Sequence, residues 1–258
     1  MRPLGELPRE GIRGLLFDID ETLTTEGKLT AEAYAAMERL RAAGRIVVPV
    51  TGRAAGWCDH IARMWPVDAV VGENGAFYFW FGAGRLQRRF HDPDEVRAGK
   101  RRRLEEIGRS LLEAVPGCAL ASDQRYRETD LAIDYCEDVP PLPLAAAERI
   151  AALMRAAGLT ARISSIHVNG WLGEYDKLAM TRALCAERFA IDPGAAKRAL
   201  AFAGDSPNDA PMFRFFEHSV GVANVRRFEA LLADKPKFVT ARAAGAGFAE
   251  LVAHLLGR

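Results

Sequence analysis

The run G-L-L-F-D-I-D from Gly14 to Asp20 limits the fold more than any other stretch of the 258-residue chain. Successive apolar residues leave no polar face, so the run belongs to a strand covered on both sides, as in parallel sheets flanked by helices. It ends in two carboxylates, at the strand end where open α/β sheets gather their ligands. Strand side chains alternate, so Asp18 and Asp20 are expected on one face, where they repel unless a cation or a shared proton lies between them. A hard divalent cation such as magnesium meets that need. A lone D-x-D fits a solvated acidic turn equally well, so the remaining strand ends carry the decision.

That strand opens a βαβα order: helix Ala31 to Ala43, strand Arg45 to Thr51, helix Trp57 to Trp65. The rhythm returns after Tyr175 with helix Lys177 to Phe189, strand Ala199 to Gly204, helix Ala210 to Phe216 and short strands near Val220 and Phe238. Between the blocks the pattern predicts a hairpin around Gly82-Ala83-Gly84 and a charged helix from Asp94 to Ala114. Strands at Ala119 to Ala121 and Asp130 to Tyr135, a helix ending at Ala157 and one strand through Ile163 to Val168 follow. The expectation is an α/β protein: a Rossmann-like parallel sheet core over 1–81 and 174–258, with an inserted α+β domain over 82–173.

Two further strand ends are polar in the same way. V-T-G-R places Thr51, Gly52 and Arg53 where a hydroxyl and backbone N–H groups can meet an anion. A-G-D-S-P-N-D places Asp205, Asn208 and Asp209, all oxygen donors suited to a hard cation, after a third strand, and Lys177 opens the helix before it. D-I-D-E-T-L-T, V-T-G-R, a lysine at a helix start and G-D-S-P-N-D stand in the order of the four haloacid dehalogenase motifs, and together they span the chain, which therefore resembles that superfamily. The insertion between the second and third motifs resembles the cap of the subfamily holding Cof-type sugar phosphatases, sucrose phosphatase, mannosyl-3-phosphoglycerate phosphatase and phosphomannomutase. E-N-G-A at Glu73 to Ala76 is similar to that subfamily too.

The resemblance implies a phosphatase. Asp18 would attack phosphorus and be phosphorylated, and Asp20 would act as general acid and then base. Thr51 and Lys177 would hold the transferring oxygens, and Mg2+ would sit on Asp18, the Asp20 carbonyl and Asp205, with Asn208 and Asp209 completing its shell. Gly52, Arg53 and Asn74, with Arg125, Arg127 and Asn169 of the insertion, are the candidate substrate contacts, and His167 and Trp171 lie on the same returning segment. Glu21 stands where the family has glycine and Leu178 where many relatives have glycine, which bears on loop geometry and substrate range. The expected substrate is a small phosphorylated metabolite, a sugar phosphate or a phosphoglycolate-like acid. A phosphomutase and a non-catalytic phosphometabolite sensor remain open on the same fold.

Composition narrows the partners. The 35 basic and 34 acidic residues nearly cancel, so no nucleic-acid partner is expected, and Lys100 to Arg103 is read as a salt-bridged face because Glu95, Glu105 and Glu106 flank it. No leader and no membrane-spanning run is visible, so no membrane partner and a cytoplasmic site of action are expected. Cys58, Cys118, Cys136 and Cys185 are spaced as packed thiols rather than as a disulfide framework. The aromatic run Phe77 to Phe81 is read as a hairpin packed against the inserted domain, and Trp57 and Trp65 as core anchors.

Overall fold

The computed structural model describes residues 1–164 and 166–257. The chain begins with β1 (Arg2–Pro3), β2 (Gly14–Phe17), α1 (Ala31–Ala42), β3 (Ile46–Pro49) and α2 (Ala55–Met64). β4 (Val70–Gly72), β5 (Phe77–Gly82), β6 (Arg85–Phe90) and the long α3 (Asp94–Ala114) follow. Then come β7 (Ala119–Leu120), β8 (Asp130–Asp134), α4 (Leu144–Ala156), β9 (Thr160–Ile163) and β10 (His167–Trp171). The last stretch holds α5 (Lys177–Phe189), α6 (Ala196–Ala199), β11 (Leu200–Gly204), α7 (Ala210–Phe215), β12 (His218–Gly221), β13 (Phe238–Val239) and α8 (Ala244–Leu255).

The apolar run becomes a central strand of a six-stranded sheet ordered β1-β13-β12-β11-β2-β3, with every neighbouring pair parallel. Its two faces are covered separately. Leu15, Phe17 and Val47 pack with Met37 and Leu40 of α1 and Phe248 and Val252 of α8, while Leu16, Val48 and Phe202 pack with Met180 and Leu184 of α5 and Phe213 of α7. This is the α/β parallel-sheet core that the unbroken apolar run requires. Both β3 and β11 flank β2, so chain connections leave β2 on opposite sides and open a crevice at the carboxyl ends of β2 and β11.

The second sheet, β7-β8-β10-β9, is antiparallel. Alternation sorts its residues: Leu131, Ile133 and Val168 face Ile107, Leu111, Ile150 and Met154 of α3 and α4. Asp130, Asp134, His167, Asn169 and Trp171 occupy the alternate positions and are buried even so, 8% exposed or less. A wholly buried polar face needs partners: Asp134 finds them in the N–H groups of residues 136 to 138, His167 in Glu137, and Asp130 in Arg127, Asn169 and Asn74 of the E-N-G segment. Instead of one strand through Ile163 to Val168 there are two, β9 and β10, paired antiparallel. The predicted strand includes residue 165, which lies outside the described residues.

The hairpin β5–β6 packs more widely than expected. Phe77 and Phe79 share a cluster with Cys58 and Ile61 of α2 and with Trp171 of β10, and Tyr78 packs with Met180 and Leu184 of α5, so the aromatic run anchors to the parallel-sheet layer as well as to the inserted sheet. Trp57, expected in the core, is 46% exposed. Arg103 pairs with Glu106 as expected, while Lys100 and Arg101 pair with Asp92 and Glu128 rather than with Glu95 or Glu105. No helix among the described residues is long and apolar enough to cross a membrane.

The E-N-G segment has an unusual backbone: Glu73, Asn74 and Gly75 all take positive φ, at 40°, 56° and 103°. A Cβ at Gly75 would lie 2.0 Å from the Asp176 carbonyl oxygen, so the segment is pressed against the start of α5. Gly75→Ala is expected to lower the unfolding free energy by about 2–3 kcal/mol or more, through strain and collision together. Gly84→Ala, at φ +72° with nothing within 4 Å, carries only the left-handed cost of about 1–2 kcal/mol. Urea denaturation of both variants checks this, and equal losses would refute the close approach.

Candidate active site

Asp18 is the first residue beyond β2, and Asp205 the first beyond β11. The parallel pairing of these strands extends to the Asp18 N–H, which donates to Ala203 O at 2.9 Å. Neighbouring parallel strands therefore deliver the two carboxylates side by side. Asp209, in the turn after Asp205, accepts from the Asp205 N–H at 3.2 Å. Oxygens of Asp18, Asp205 and Asp209 all lie within 4.8 Å of one another, and all three residues are buried.

Lys177 answers part of that charge. It is the first residue of α5, behind the N-cap Asp176, whose carboxylate accepts from the Ala179 N–H at 2.7 Å. Its ammonium reaches Asp18 Oδ1 at 2.8 Å and Asp209 Oδ1 at 2.9 Å. Burial raises the Asp18 carboxyl to about 7, against the pull of Lys177, and Asp209 and Asp20 add to the rise. Burial, with Asp18 and Asp209, pushes Asp205 well above the carboxylate range. One ammonium among three buried carboxylates leaves negative charge uncompensated. An all-oxygen donor set with an excess of negative charge fits a hard divalent cation such as magnesium.

Asp20 does not join this cluster. The strand ends at Phe17, and the chain coils so that the Ile19 carbonyl accepts from the N–H groups of Leu23 and Thr24 at 2.9 Å and from Thr24 Oγ1 at 3.1 Å. Alternation therefore stops before Asp20. Its carboxylate takes Arg53 Nε at 3.0 and 3.1 Å and Nη2 at 2.7 Å. Glu21, standing at the family's glycine position, holds φ +55° and is tied down by its N–H to Thr24 Oγ1 and by Asn224 Nδ2 to its carbonyl at 2.9 Å.

One cleft is lined by Asp18, Asp20, Gly52, Arg53, His167 and Asn208, and by Asn169 and Arg127. Thr51 is fully buried behind it, its hydroxyl accepting from the Arg53 N–H at 3.1 Å. Asn208 Oδ1 accepts from Ser206 Oγ at 2.7 Å. Asn74 lies behind Gly52, and its amide and that of Asn169 both donate to Asp130, at 3.4 and 3.0 Å. Arg127 lines the cleft, but its guanidinium is spent on Asp123, on Asp130 and on the Gly52 carbonyl at 2.9 Å. It braces the inserted sheet on the T-G-R loop. Arg125 is exposed and lines other grooves, away from Asp18.

Sequence reasoning missed Asn224, Thr22, Glu73 and Glu137. Asn224 Nδ2 donates to Asp205 Oδ2 at 3.2 Å, while its Oδ1 accepts from the Ala244 N–H at 2.9 Å, so the amide fixes the Asp205 carboxylate. It follows strand β12 in V-G-V-A-N, and the rule applied to the other strand ends would have found it. Thr22 Oγ1 donates to Asp205 Oδ1 at 3.4 Å. Glu73 stands in the E-N-G-A segment, whose resemblance to the family assigned it no role, and Glu137 carried no sequence signal because Arg53 and His167 lie far away along the chain.

Comparison with known proteins agrees with this arrangement. Residues 15–83 match the family model of haloacid dehalogenase-like hydrolases. A phosphoglycolate phosphatase of Haloarcula marismortui is 30% identical over 240 residues, covering 93% of this chain and 95% of its own. Among solved structures, a Thermoplasma acidophilum protein superposes with a TM-score of 0.71 at 18% identity, over 95% of this chain and 98% of that one. The sucrose-phosphatase of Synechocystis, solved with sucrose and phosphate, gives 0.64 at 15% identity over 95% and 98%. With a relative matched over nearly its whole length and the motif carboxylates gathered at neighbouring strand ends, the chain belongs to the haloacid dehalogenase-like hydrolases, among their phosphatases.

Proposed function

We propose that the protein is a magnesium-dependent phosphomonoester hydrolase that works through a phosphorylated Asp18 and acts on a small phosphorylated metabolite. The buried Lys177 bridge between Asp18 and Asp209, beside Asp205, carries this reading. Lys177 occupies Asp18 Oδ1, and Oδ2 accepts no hydrogen bond from the described residues, which makes it the attacking atom. As the Oδ2–phosphorus bond forms, the ester bond breaks and Asp20 gives a proton to the leaving oxygen. Asp20 then takes a proton from water, whose oxygen displaces Asp18 from phosphorus and releases phosphate. Asp20 must leave Arg53 to do so, and both residues line the same cleft.

Asp18 and Asp205, with Asp209 and Asn208 nearby and the Asp20 carbonyl that the family resemblance implies, would hold magnesium, which supplies Lewis-acid charge to the phosphoryl oxygens when bound. Lys177 adds fixed positive charge at the nucleophile and lessens its repulsion of the phosphate. The relatives named phosphoglycolate phosphatase support a small substrate.

Phosphate release from phosphoglycolate, sugar phosphates and an aryl phosphate, with magnesium and with chelator, tests the reaction class. Asp18→Asn should reduce magnesium-dependent release to background in every case; turnover retained in that variant would exclude the covalent route. Asn224→Ala, which frees Asp205 without touching the cleft, should raise the magnesium concentration for half-maximal activity about 10- to 100-fold. A magnesium titration of the variant checks it, and an unchanged midpoint would remove Asn224 from the support of Asp205.

A further inference from the structure

The cleft that Asp18 lines also contains two nitrogen-bearing side chains that share one carboxylate. Arg53 Nη2 lies 3.1 Å from Glu137 Oε1, and His167 Nε2 lies 2.9 Å from Glu137 Oε2. The carboxylate spans the pair one oxygen to each, as a bound carboxylate would. Glu137 is held there on purpose-built backbone: buried Asp134 accepts from the N–H groups of Cys136, Glu137 and Asp138 at 2.9, 2.8 and 2.8 Å. His167 and Arg53 keep the Glu137 carboxyl down at about 2, against the cost of burial.

The receiving side is less well satisfied than the carboxylate it holds. His167 is 3% exposed, and despite its short contact its Nε2 has no aligned hydrogen bond. A buried ring nitrogen in a cleft wall, whose one short contact is imperfectly directed, can exchange that carboxylate for a better-placed ligand oxygen. We propose that Arg53 and His167 form the receptor for a carboxylate carried by the substrate, and that Glu137 fills this receptor as an internal competitor. This rests on the phosphatase reading and names its substrate class.

The same guanidinium sets how far that carboxylate stands from the ester. Nη2 of Arg53 touches both Glu137, at 3.1 Å, and Asp20, at 2.7 Å, and Asp20 serves the ester oxygen. A carboxylate bound in place of Glu137 therefore lies within a few atoms of that oxygen. The fitting substrates are 2-phosphonooxy carboxylic acids, in which one carbon separates carboxylate from ester oxygen; 2-phosphoglycolate is the smallest. An internal competitor also taxes affinity, because substrate binds only the fraction of enzyme whose receptor is vacated. Removing Glu137 should tighten binding of the carboxylate substrate alone.

The test compares 2-phosphoglycolate with ethyl phosphate, which carries a methyl group in place of the carboxylate. Wild type should favour phosphoglycolate about tenfold or more in kcat/KM. Glu137→Gln should lower the phosphoglycolate KM about 3- to 10-fold and move that of ethyl phosphate by less than about twofold. His167→Gln should raise the phosphoglycolate KM about tenfold and leave ethyl phosphate unmoved, a split that general loosening of the fold would not produce. A raised phosphoglycolate KM in Glu137→Gln, equal shifts for both esters, or no wild-type preference overturns the receptor. Should wild type turn over neither ester nor an aryl phosphate, the phosphatase reading fails separately. Calorimetric titration with 2-phosphoglycolate then decides the receptor: a tighter Kd in Glu137→Gln upholds it, and an unchanged or weaker one overturns it.

Discussion

The ammonium of Lys177 between Asp18 and Asp209 is the contact on which the rest of the site depends. Burying carboxylates costs several kcal/mol per charge, and removing one partner of such a group typically costs about 3–5 kcal/mol because the other is left unpaired. Fold and site are therefore coupled at this point. Lys177 reaches the cluster because α5 begins where it does, capped by Asp176 and pressed on by Gly75. The three carboxylates meet because β2 and β11 are neighbours and parallel. The close fit of the α5 start against the E-N-G segment thus has a purpose in placing a charge.

Glu73 plays the matching part for the inserted unit. Fully buried, it accepts from the N–H groups of Ala55, Glu128 and Thr129 at 2.9, 2.8 and 2.6 Å and from the Thr129 hydroxyl at 2.5 Å. Burial and Asp130 push its carboxyl up to about 7, while Arg127 and these donors pull it down. Four donors converging on one side chain favour the ionised form, and the network closes through Arg127, Asp130, Asn74 and Asn169. The network explains how Asp130 and Asn169 on the polar face of the second sheet are buried. It also explains three successive positive φ values at Glu73, Asn74 and Gly75, since strain of this kind persists only where the surroundings determine it.

Much of this was legible in the sequence where one rule acted alone. Unbroken apolar runs at Leu15 to Phe17 and Leu200 to Ala203 required strands covered on both faces, and α3 and α5 begin and end where their patterns do. Rules failed where two competed. Alternation would put Asp20 beside Asp18, but the hydrogen bonds gathered on the Ile19 carbonyl end the strand first and turn Asp20 to Arg53. Arg127 looked like a ligand contact because a guanidinium between strands is a common anion site; three acceptors, two of them carboxylates, claim it. Glu137 was illegible because Arg53 and His167 stand far from it along the chain, whereas Asn224 follows a strand end and was there to be found.

The pairing of Asp20 with Arg53 has a consequence for how chemistry is gated. In the mechanism proposed above, Asp20 engaged by a guanidinium on both oxygens cannot also donate to a leaving group, which would make this arrangement a resting one. Release requires something to draw Arg53 away or to replace Asp20 as its partner. Arg53 already divides its donors between Asp20 and Glu137, one from each layer of the protein, so any anion entering from the side of the inserted sheet alters the hold on Asp20. Phosphate alone, seated at Asp18 and Lys177, does not replace a partner of Arg53 in this arrangement. Under the proposed receptor, a substrate carboxylate would take the place of Glu137 on Arg53, and binding energy remote from phosphorus would then bear on how Arg53 holds Asp20.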